Sequence, residues 1–333
     1  MRTLLRPAAG FTCLFALATA GCSAGPKQTA DASSSATADA PSSATSYAPY
    51  VSATEASAND SSGSPSTYNL AFVISDGSDC TPQWNGEDAI ADTAVKSRIS
   101  RLTADGGTVR VSFGGASGKE LAATCDSVAK LAAAYGTALD AAGSSQADFD
   151  VEGDELTDAD TVALRSEAIA ALQKERPDLE VSFTLPVMPS GLDSDSLALL
   201  ESANTYDVQV STVNLMTMNY GESYAGDMGD YALASAKAAH TQLRKMFGLS
   251  AAAAWQGMAL TSMIGINDVA GETFTLSDAA QVRTFAEEKE MAWVSMWSTF
   301  RDQECAKGSG TDAATDCSGV KQSSGAFGEA LAG

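Results

Sequence analysis

Short apolar runs recur along the chain from residue 48 onward, and longer segments between them carry apolar residues at helical spacing. Several of the short runs are apolar at nearly every position, which is typical of strands buried on both faces. They predict strands at 48–53, 67–75, 107–115, 147–152, 179–187, 208–218, 257–265 and 291–297. The longer segments predict a helix capped by Ser117 and extending to Gly143, and others near 159–175, 192–204, 230–246 and 277–289.

The alternation of strands with helices predicts a parallel sheet of the α/β class. About 285 residues of such units is the size of a single (β/α)₈, or TIM, barrel. A doubly wound open sheet is the alternative, but its phosphate-binding motifs GxGxxG and GxxxxGK[ST] are both absent. We therefore predict one barrel over residues 47–333, with functional residues at the carboxyl ends of its strands.

The balance of charge restricts the partners. The 333 residues include 42 acidic and 20 basic side chains, a net charge of −22. Such a chain is poorly suited to bind nucleic acid or an anionic membrane surface. The one histidine, His240, lies in a helical run without acidic or cysteine neighbours at ligand spacing, so we interpret it as a helix-surface or helix-packing residue. Any catalysis is therefore expected to depend on carboxylates, tyrosine or a cofactor. Our overall prediction for the chain is no metal ion and no cofactor.

The first 21 residues are typical of an export signal. A basic start precedes an apolar run over 8–20, too short for a membrane-spanning helix. Residues 19–22, TAGC, resemble a bacterial lipobox in which Cys22 is lipidated, although Leu is usual where Thr19 stands. Residues 22–46 are rich in Ser, Ala and Thr and predict a flexible tether. The expected location is extracellular, either secreted or anchored through Cys22 to the outer face of the bacterial membrane.

Four cysteines remain beyond the signal: Cys80, Cys125, Cys305 and Cys317. An even number in an exported protein indicates two disulfides, with three possible pairings. We favour Cys80–Cys125, which joins neighbouring surface segments, and Cys305–Cys317, which closes a short loop. A zinc site is less favoured because the chain contains no CxxC pair.

Three acids alternate with apolar residues in the sequence DFDVE. Because successive side chains of a strand point to opposite faces, Asp148, Asp150 and Glu152 share one face. A calcium loop of the EF-hand type is the rival interpretation, but its bidentate Glu at the twelfth position is Ala159 here.

The alternation has a chemical consequence. Neighbouring carboxylates that are partly desolvated share protons, which raises at least one pKa and prepares a general acid. Glu152, last in the strand, is the candidate acid. No second catalytic carboxylate is evident on another strand, which leaves room for a nucleophile that does not belong to the protein.

Four motifs at predicted strand ends resemble glycoside hydrolase family 18, the chitinases, and in particular secreted actinobacterial members. They are SFGG at 112–115, DFDVE at 148–152, MTMNYG at 216–221 and MWSTFRD at 296–302. The resemblance covers residues 47–333 and implies a retaining hydrolase of β-1,4-linked N-acetylglucosamine polymers. In this family the substrate's own acetamido group attacks the anomeric carbon and forms an oxazolinium ion.

The resemblance also implies residue roles. Glu152 protonates the glycosidic oxygen and then activates water. Asp150 and Tyr220 hold the acetamido group, and Asp148, near Ser112, shares a proton with Asp150. Further implied substrate-site residues are Trp297 under the sugar, Met218 beneath the acetamido group, Tyr50, Gly114, Gly115 and Asn219.

The chain departs from the family pattern at three positions, of which Phe300 could alter the rim of the site. Asn219 stands where Asp is usual, Phe300 where Asn is usual, and Ser145 where the longer pattern begins with Asp. Two alternative functions remain at this point: a non-catalytic chitin-binding, lectin-like barrel, and an endo-β-N-acetylglucosaminidase acting on glycans. We expect a monomer.

Overall fold

The computed structural model describes residues 45–307 and 316–333. The predicted signal peptide, Cys22 and nearly all of the predicted tether lie outside the described residues. Thr45 and Ser46, assigned to the tether from sequence, already belong to the barrel: Thr45 is buried and Ser46 begins a strand. Within the described ranges, no helix is long and apolar enough to cross a membrane.

Eight parallel strands close into a barrel. They are β1 (Ser46–Tyr47 and Tyr50–Ser52), β2 (Thr67–Ser75), β3 (Thr108–Gly114), β4 (Gln146–Asp150), β5 (Glu180–Pro186), β6 (Val210–Met216), β7 (Met258–Met263) and β8 (Trp293–Trp297). Each pairs with its neighbours in chain order. The circle closes because β8 pairs with the first segment of β1, while the second segment pairs with β2. The prediction of a single (β/α)₈ barrel is confirmed.

Helices surround the barrel. They are α1 (Thr93–Leu102), α2 (Val128–Ala142), α3 (Asp154–Thr157), α4 (Ala159–Glu175), α5 (Ser194–Thr205), α6 (Met228–Phe247), α7 (Ala251–Gln256), α8 (Leu276–Lys289) and α9 (Ala326–Ala332). Four short β segments lie outside the barrel strands. Pro82–Trp84 and Asp88–Ala89 extend the sheet beside β2, and Gly265–Ile266 pairs with Thr273–Phe274 beyond β7.

The helix predicted from Ser117 is wrong at its start. Residues 121–123 form one turn of 3₁₀ helix, and α2 begins only at Val128. Glu120 is responsible, because its buried carboxylate accepts hydrogen bonds from Ala122 N and from Arg165. That ion pair ties the segment to α4, and the chain does not form a continuous helix there. Helix α1 was not predicted.

The two faces of β4 differ in chemistry. Its outward Phe149 is fully buried, and its ring contacts those of Phe113, Tyr135 and Phe183 beneath α2. Burying aromatic rings of this size is among the larger stabilising contributions in a core. Its inward face carries Asp148 and Asp150, so the hydrophobic layer between sheet and helices anchors the strand that presents the acids.

Both predicted disulfides, Cys80–Cys125 and Cys305–Cys317, are present. The prediction for His240 is also confirmed. It lies half-buried on α6, where its ring stacks on that of Trp255 at 3.9 Å and its Nε2 lies 2.9 Å from the carbonyl oxygen of Ala251.

Candidate active site

The three acids of DFDVE lie together at the carboxyl end of β4. Asp148 and Asp150 belong to the strand and are 1% and 6% exposed. Glu152 follows the strand end and is partly exposed. The backbone stays extended at this point, since Val151 N donates to the carbonyl oxygen of Thr184 on β5. The predicted alternation of side chains therefore continues beyond the last residue of the strand: Val151 is buried on the face opposite to that of the three acids.

Asp148 accepts four hydrogen bonds from hydroxyl groups. Tyr50 and Ser112 donate to Oδ2 at 2.9 and 2.8 Å, and Ser182 and Thr184 donate to Oδ1 at 2.7 and 2.8 Å. Strand register explains part of this, because Ser112 and Ser182 are the residues directly opposite Asp148 on β3 and β5. The carboxylate is buried but fully hydrogen-bonded, as a buried charge requires.

A second layer of polar side chains orients these donors. Asn214 on β6 donates to Thr184 Oγ1 at 2.9 Å and accepts from Thr261 Oγ1 at 2.9 Å. Thr184 and Asn214 were not among the predicted site residues. Their signal in the sequence is weak, because both strands carry other polar residues from which these two cannot be distinguished.

Asp150 and Glu152 form the titrating pair. Burial, the charges of Glu152 and Asp148, and a hydrogen bond with Glu152 raise the pKa of Asp150 well above its ordinary range. Burial raises the pKa of Glu152 to about 7, against the lowering effect of its hydrogen bond with Asp150. The resemblance implied a proton shared by Asp148 and Asp150; in the structure the hydrogen bond of Asp150 is with Glu152.

Two glycines let the loop after β3 approach these acids. Both have positive φ, 97° at Gly114 and 93° at Gly115. A Cβ at Gly114 would overlap the carbonyl oxygen of Asp150, and one at Gly115 would overlap the ring of Phe72. Gly115 N also donates to the carbonyl oxygen of Asp150 at 2.9 Å. The predicted SFGG motif thus supports the backbone of the acid strand and makes room for an aromatic ring.

Aromatic rings line the opposite side. Trp297, at the end of β8, stacks on Phe72 with centroids 5.5 Å apart and meets Tyr50 edge-on at 5.8 Å. Phe300 meets the Trp297 ring edge-on at 6.0 Å. The structure thus brings together the predicted Trp297 and Tyr50. Phe72 was missed because an isolated aromatic residue within a long apolar strand is indistinguishable from core.

Tyr220 lies just beyond β6 and is 4% exposed. Its hydroxyl lies 3.4 Å from Ser235 Oγ on α6, and its ring packs against Tyr224 and Tyr231. Burial raises the pKa of Tyr220, so the phenol remains protonated at neutral pH. Met218, two residues earlier, is also buried.

Asn219 is exposed and makes a two-part contact with the loop after β7. Its Nδ2 donates to Asp268 Oδ2 at 3.0 Å, and its Oδ1 accepts from Asp268 N at 3.1 Å. An amide satisfies both partners, whereas an Asp at this position would set two carboxylates against each other. Asp268 was not predicted, yet its charge contributes to the raised pKa of Glu152.

Chemically, Asp150 and Glu152 share one proton, and the hydrogen-bonded carboxyl group of Asp148 lies beneath them. The rings of Trp297, Phe72 and Tyr50 form an aromatic wall on the opposite side of the site. A carboxyl group with a pKa near 7 can serve both as acid and as base at neutral pH. Aromatic faces suit the apolar faces of sugar rings. The site as described therefore fits acid–base cleavage of a carbohydrate.

The comparisons agree with this chemistry. No model of a known protein family matches the chain. It is 33% identical over 249 residues to the "Probable bifunctional chitinase/lysozyme" of Escherichia coli K12, covering 71% of this chain and 28% of that protein. It is 32% identical over 248 residues to Endochitinase 11 of Metarhizium anisopliae, covering 71% of this chain and 47% of that protein. The chain thus spans less than half the length of either relative.

A solved structure covers more of the chain. Active domain 2 of the thermostable chitinase from Pyrococcus furiosus, as a catalytic-site mutant complexed with chito-oligosaccharides, has a TM-score of 0.76 and 26% identity. The match covers 88% of this chain and 96% of that one. Solved family 18 chitinases at 15% identity share the fold. The four sequence motifs lie at the carboxyl ends of β3, β4, β6 and β8, on one side of the barrel. Together with these relatives, this arrangement shows that the chain belongs to glycoside hydrolase family 18, the chitinases.

Proposed function

We propose that the protein hydrolyses β-1,4-linked N-acetylglucosamine polymers, chitin or chito-oligosaccharides, with retention of anomeric configuration. One observation carries the proposal: the hydrogen-bonded pair of Asp150 and Glu152, both with raised pKa, beside an aromatic wall. Such a pair supplies one proton at neutral pH and needs a nucleophile from elsewhere. The acetamido group of the substrate provides it.

The first step breaks the glycosidic bond. Glu152 gives its proton to the glycosidic oxygen, and the bond from that oxygen to the anomeric carbon breaks. The acetamido carbonyl oxygen forms a new bond to the anomeric carbon, which produces an oxazolinium ion. With the shared proton on Glu152, Asp150 is ionised, and its charge stabilises the positive charge that develops on the acetamido nitrogen.

The second step restores the enzyme. Glu152, now a carboxylate, removes a proton from water, and the water oxygen attacks the anomeric carbon on the face that the leaving sugar vacated. The bond to the acetamido oxygen breaks, so the product keeps the β configuration. Tyr220 donates a hydrogen bond to the acetamido oxygen, Trp297 supports the sugar ring from below, and Met218 packs beneath the acetamido methyl group.

The test is incubation of residues 45–333 with chitin hexamer, comparing wild type with Glu152→Gln. We expect cleavage by wild type only, with the β-anomer as the first product seen by proton NMR. Early α-anomer would contradict retention and would indicate an inverting mechanism, for which Asp268 is the nearby candidate base. Binding of the hexamer without cleavage would favour the lectin-like alternative. Cleavage of the chitobiose core of N-glycans in preference to chitin would favour an endo-β-N-acetylglucosaminidase.

We also propose that the chain is exported and anchored through Cys22. The basic and apolar start of the sequence and the TAGC motif support it, as do two disulfides, which persist in oxidising compartments. Metabolic labelling with palmitate should mark the wild-type protein and not Cys22→Ser. Export without label would instead indicate ordinary secretion.

A further inference from the structure

The loop after β7 holds the loop that carries Tyr220. Gly265–Ile266 and Thr273–Phe274 pair as a small hairpin, and the segment between them reaches across to the end of β6. Two acids of that segment make the contact. Glu272 Oε1 accepts from Gly221 N at 2.8 Å, and Asp268 exchanges two hydrogen bonds with Asn219. Tyr220 therefore lies between two points of attachment.

Glu272 is fully buried and forms no ion pair with any of the described residues, which is unusual for a carboxyl group. Burial raises its pKa, while the backbone N–H groups of Gly221, Asn219 and Tyr220 lower it. These three residues lie just beyond the end of β6, and Asn219 has φ 53° and Gly221 has φ 115°. Successive N–H groups in segments with positive φ can converge on an anion. Here the anion is a side chain of the protein.

The side chain of Tyr220 is fixed separately. Its ring contacts Tyr224 and Tyr231, and its hydroxyl lies near Ser235, all on the α6 side. These contacts position the ring only if the backbone that carries it stays in place. Within the part of the chain that the structure describes, residues 219–221 have no strand partner, so Glu272 supplies the attachment that the sheet does not.

We propose that Glu272 is a positioning residue for Tyr220: its carboxyl group anchors the backbone of residues 219–221 and so fixes the tyrosine hydroxyl within the site. The proposal rests on the proposed function, in which Tyr220 donates to the acetamido oxygen. Displacement of a hydrogen-bond donor by 1 Å is enough to lower a catalysed rate strongly. Glu272 itself does not touch the substrate.

The test is a double-mutant cycle on a soluble chito-oligosaccharide. Glu272→Gln keeps the side chain's size and one acceptor oxygen but removes the charge, which weakens the hydrogen bonds that the side chain accepts from the backbone of residues 219–221. We expect kcat to fall about 10-fold with little change in KM, and a further loss of less than about 2-fold when Glu272→Gln is added to Tyr220→Phe. The matched control is Glu222→Gln, on the same loop but exposed, which should retain wild-type activity. If the kcat loss of the double variant equals the product of the losses of the two single variants, the proposal is overturned.

Hydrogen exchange provides a readout that is independent of activity. Peptides spanning 217–223 should exchange faster in Glu272→Gln than in wild type or Glu222→Gln. Unchanged exchange would overturn the anchoring whatever the activity. A wild type that cleaves no chito-oligosaccharide would overturn the proposed function instead, and exchange would still test the anchor. If Glu272→Gln does not fold, Glu272→Asp, which keeps the charge but withdraws it by one methylene, should show the same pattern more weakly.

Discussion

The hydroxyl of Tyr50 donates to Asp148 Oδ2 at 2.9 Å and so joins the first barrel strand to the fourth within the barrel core. Both residues are 1% exposed. The same hydroxyl lies 3.0 Å from Thr184 Oγ1, another donor to Asp148. Tyr50 thus belongs to the polar network beneath the titrating pair as well as to the aromatic wall.

Removal of that hydroxyl should impair catalysis more than folding of the barrel. Tyr50→Phe takes away one of four donors to a buried carboxyl group, and the three donors that remain keep that group hydrogen-bonded in the folded protein. We expect kcat/KM to fall by about 10-fold, the equivalent of about 1.4 kcal/mol of transition-state stabilisation, because the group beneath Asp150 is then held less firmly. Steady-state kinetics on chito-oligosaccharides would measure it, with Tyr206→Phe, at the end of α5, as control. Equal activity of Tyr50→Phe and wild type would show that three donors suffice.

The raised pKa of Asp150 should cost the protein stability at neutral pH. In the unfolded chain this carboxyl group loses its proton near a pKa of about 4, whereas in the folded protein the hydrogen-bonded pair of Asp150 and Glu152 retains a proton to higher pH. The folded state binds the extra proton over that interval, so stability falls as pH rises above about 4. Asp150→Asn cannot ionise, and we expect it to be inactive and yet more stable than wild type at pH 7, by about 1.4 kcal/mol for each unit of the abolished shift.

Urea unfolding at two pH values would check the sign. The advantage of Asp150→Asn should shrink or vanish near pH 4, where the wild-type carboxyl group is protonated in both states. A constant difference between pH 4 and pH 7 would attribute the effect to packing rather than ionisation.

Asp268 should set the alkaline limit of activity through Glu152. The acid must be protonated to act, so activity falls as pH rises through its pKa of about 7. Asp268 raises that pKa by its charge, and Asp268→Asn should therefore move the alkaline limb of the kcat/KM profile to lower pH. The amide oxygen that this substitution introduces can still accept from Asn219. Asn219→Asp adds a negative charge in the same place and should move the limb to higher pH. Loss of all activity in Asp268→Asn would instead favour Asp268 as a catalytic base.

The alternation DFDVE was sufficient to predict the acid trio, because period-two spacing requires only that the chain be extended. It was not sufficient to predict which acids share a proton. The four hydroxyl partners of Asp148 come from β1, β3 and β5, as far as 98 residues away, and strand register decides which of them face it. Once Asp148 is hydrogen-bonded by those hydroxyls, Glu152 remains as the partner of Asp150.

Loop residues were harder to predict than strand residues. Asp268 and Glu272 reach the site from a connection whose path no periodic pattern specifies. The false helix start at Ser117 has a similar origin: the apolar spacing was helical, but the tertiary ion pair of Glu120 with Arg165 ties the segment to α4. Local spacing predicted elements well where the sheet or helix itself satisfied the backbone, and failed where a distant side chain did.

Gly114 should not tolerate any side chain, for two reasons: its backbone conformation and the space around it. Gly106 shares the first reason but not the second, so a comparison of the two positions separates them. The φ of 97° at Gly114 disfavours an L residue, and a Cβ would also overlap the Asp150 carbonyl oxygen. Gly106 has φ 86°, and none of the described residues comes within 4 Å of its Cβ position. Gly106→Ala should therefore lose about 1–2 kcal/mol, from backbone strain alone. Gly114→Ala should lose about 3 kcal/mol or more, because relief of the overlap displaces the end of β4.

The two variants should differ still more in activity. Displacement of Asp150 also moves its hydrogen bond with Glu152, so Gly114→Ala should lose most of its turnover even at temperatures where it remains folded. Gly106→Ala should keep wild-type kcat once corrected for the folded fraction. Thermal unfolding together with kinetics well below each midpoint would separate stability from turnover. Equal losses of stability in Gly114→Ala and Gly106→Ala would mean that the chain at the end of β3 can move away from Asp150. Full turnover in Gly114→Ala would mean that the pair of Asp150 and Glu152 tolerates this movement.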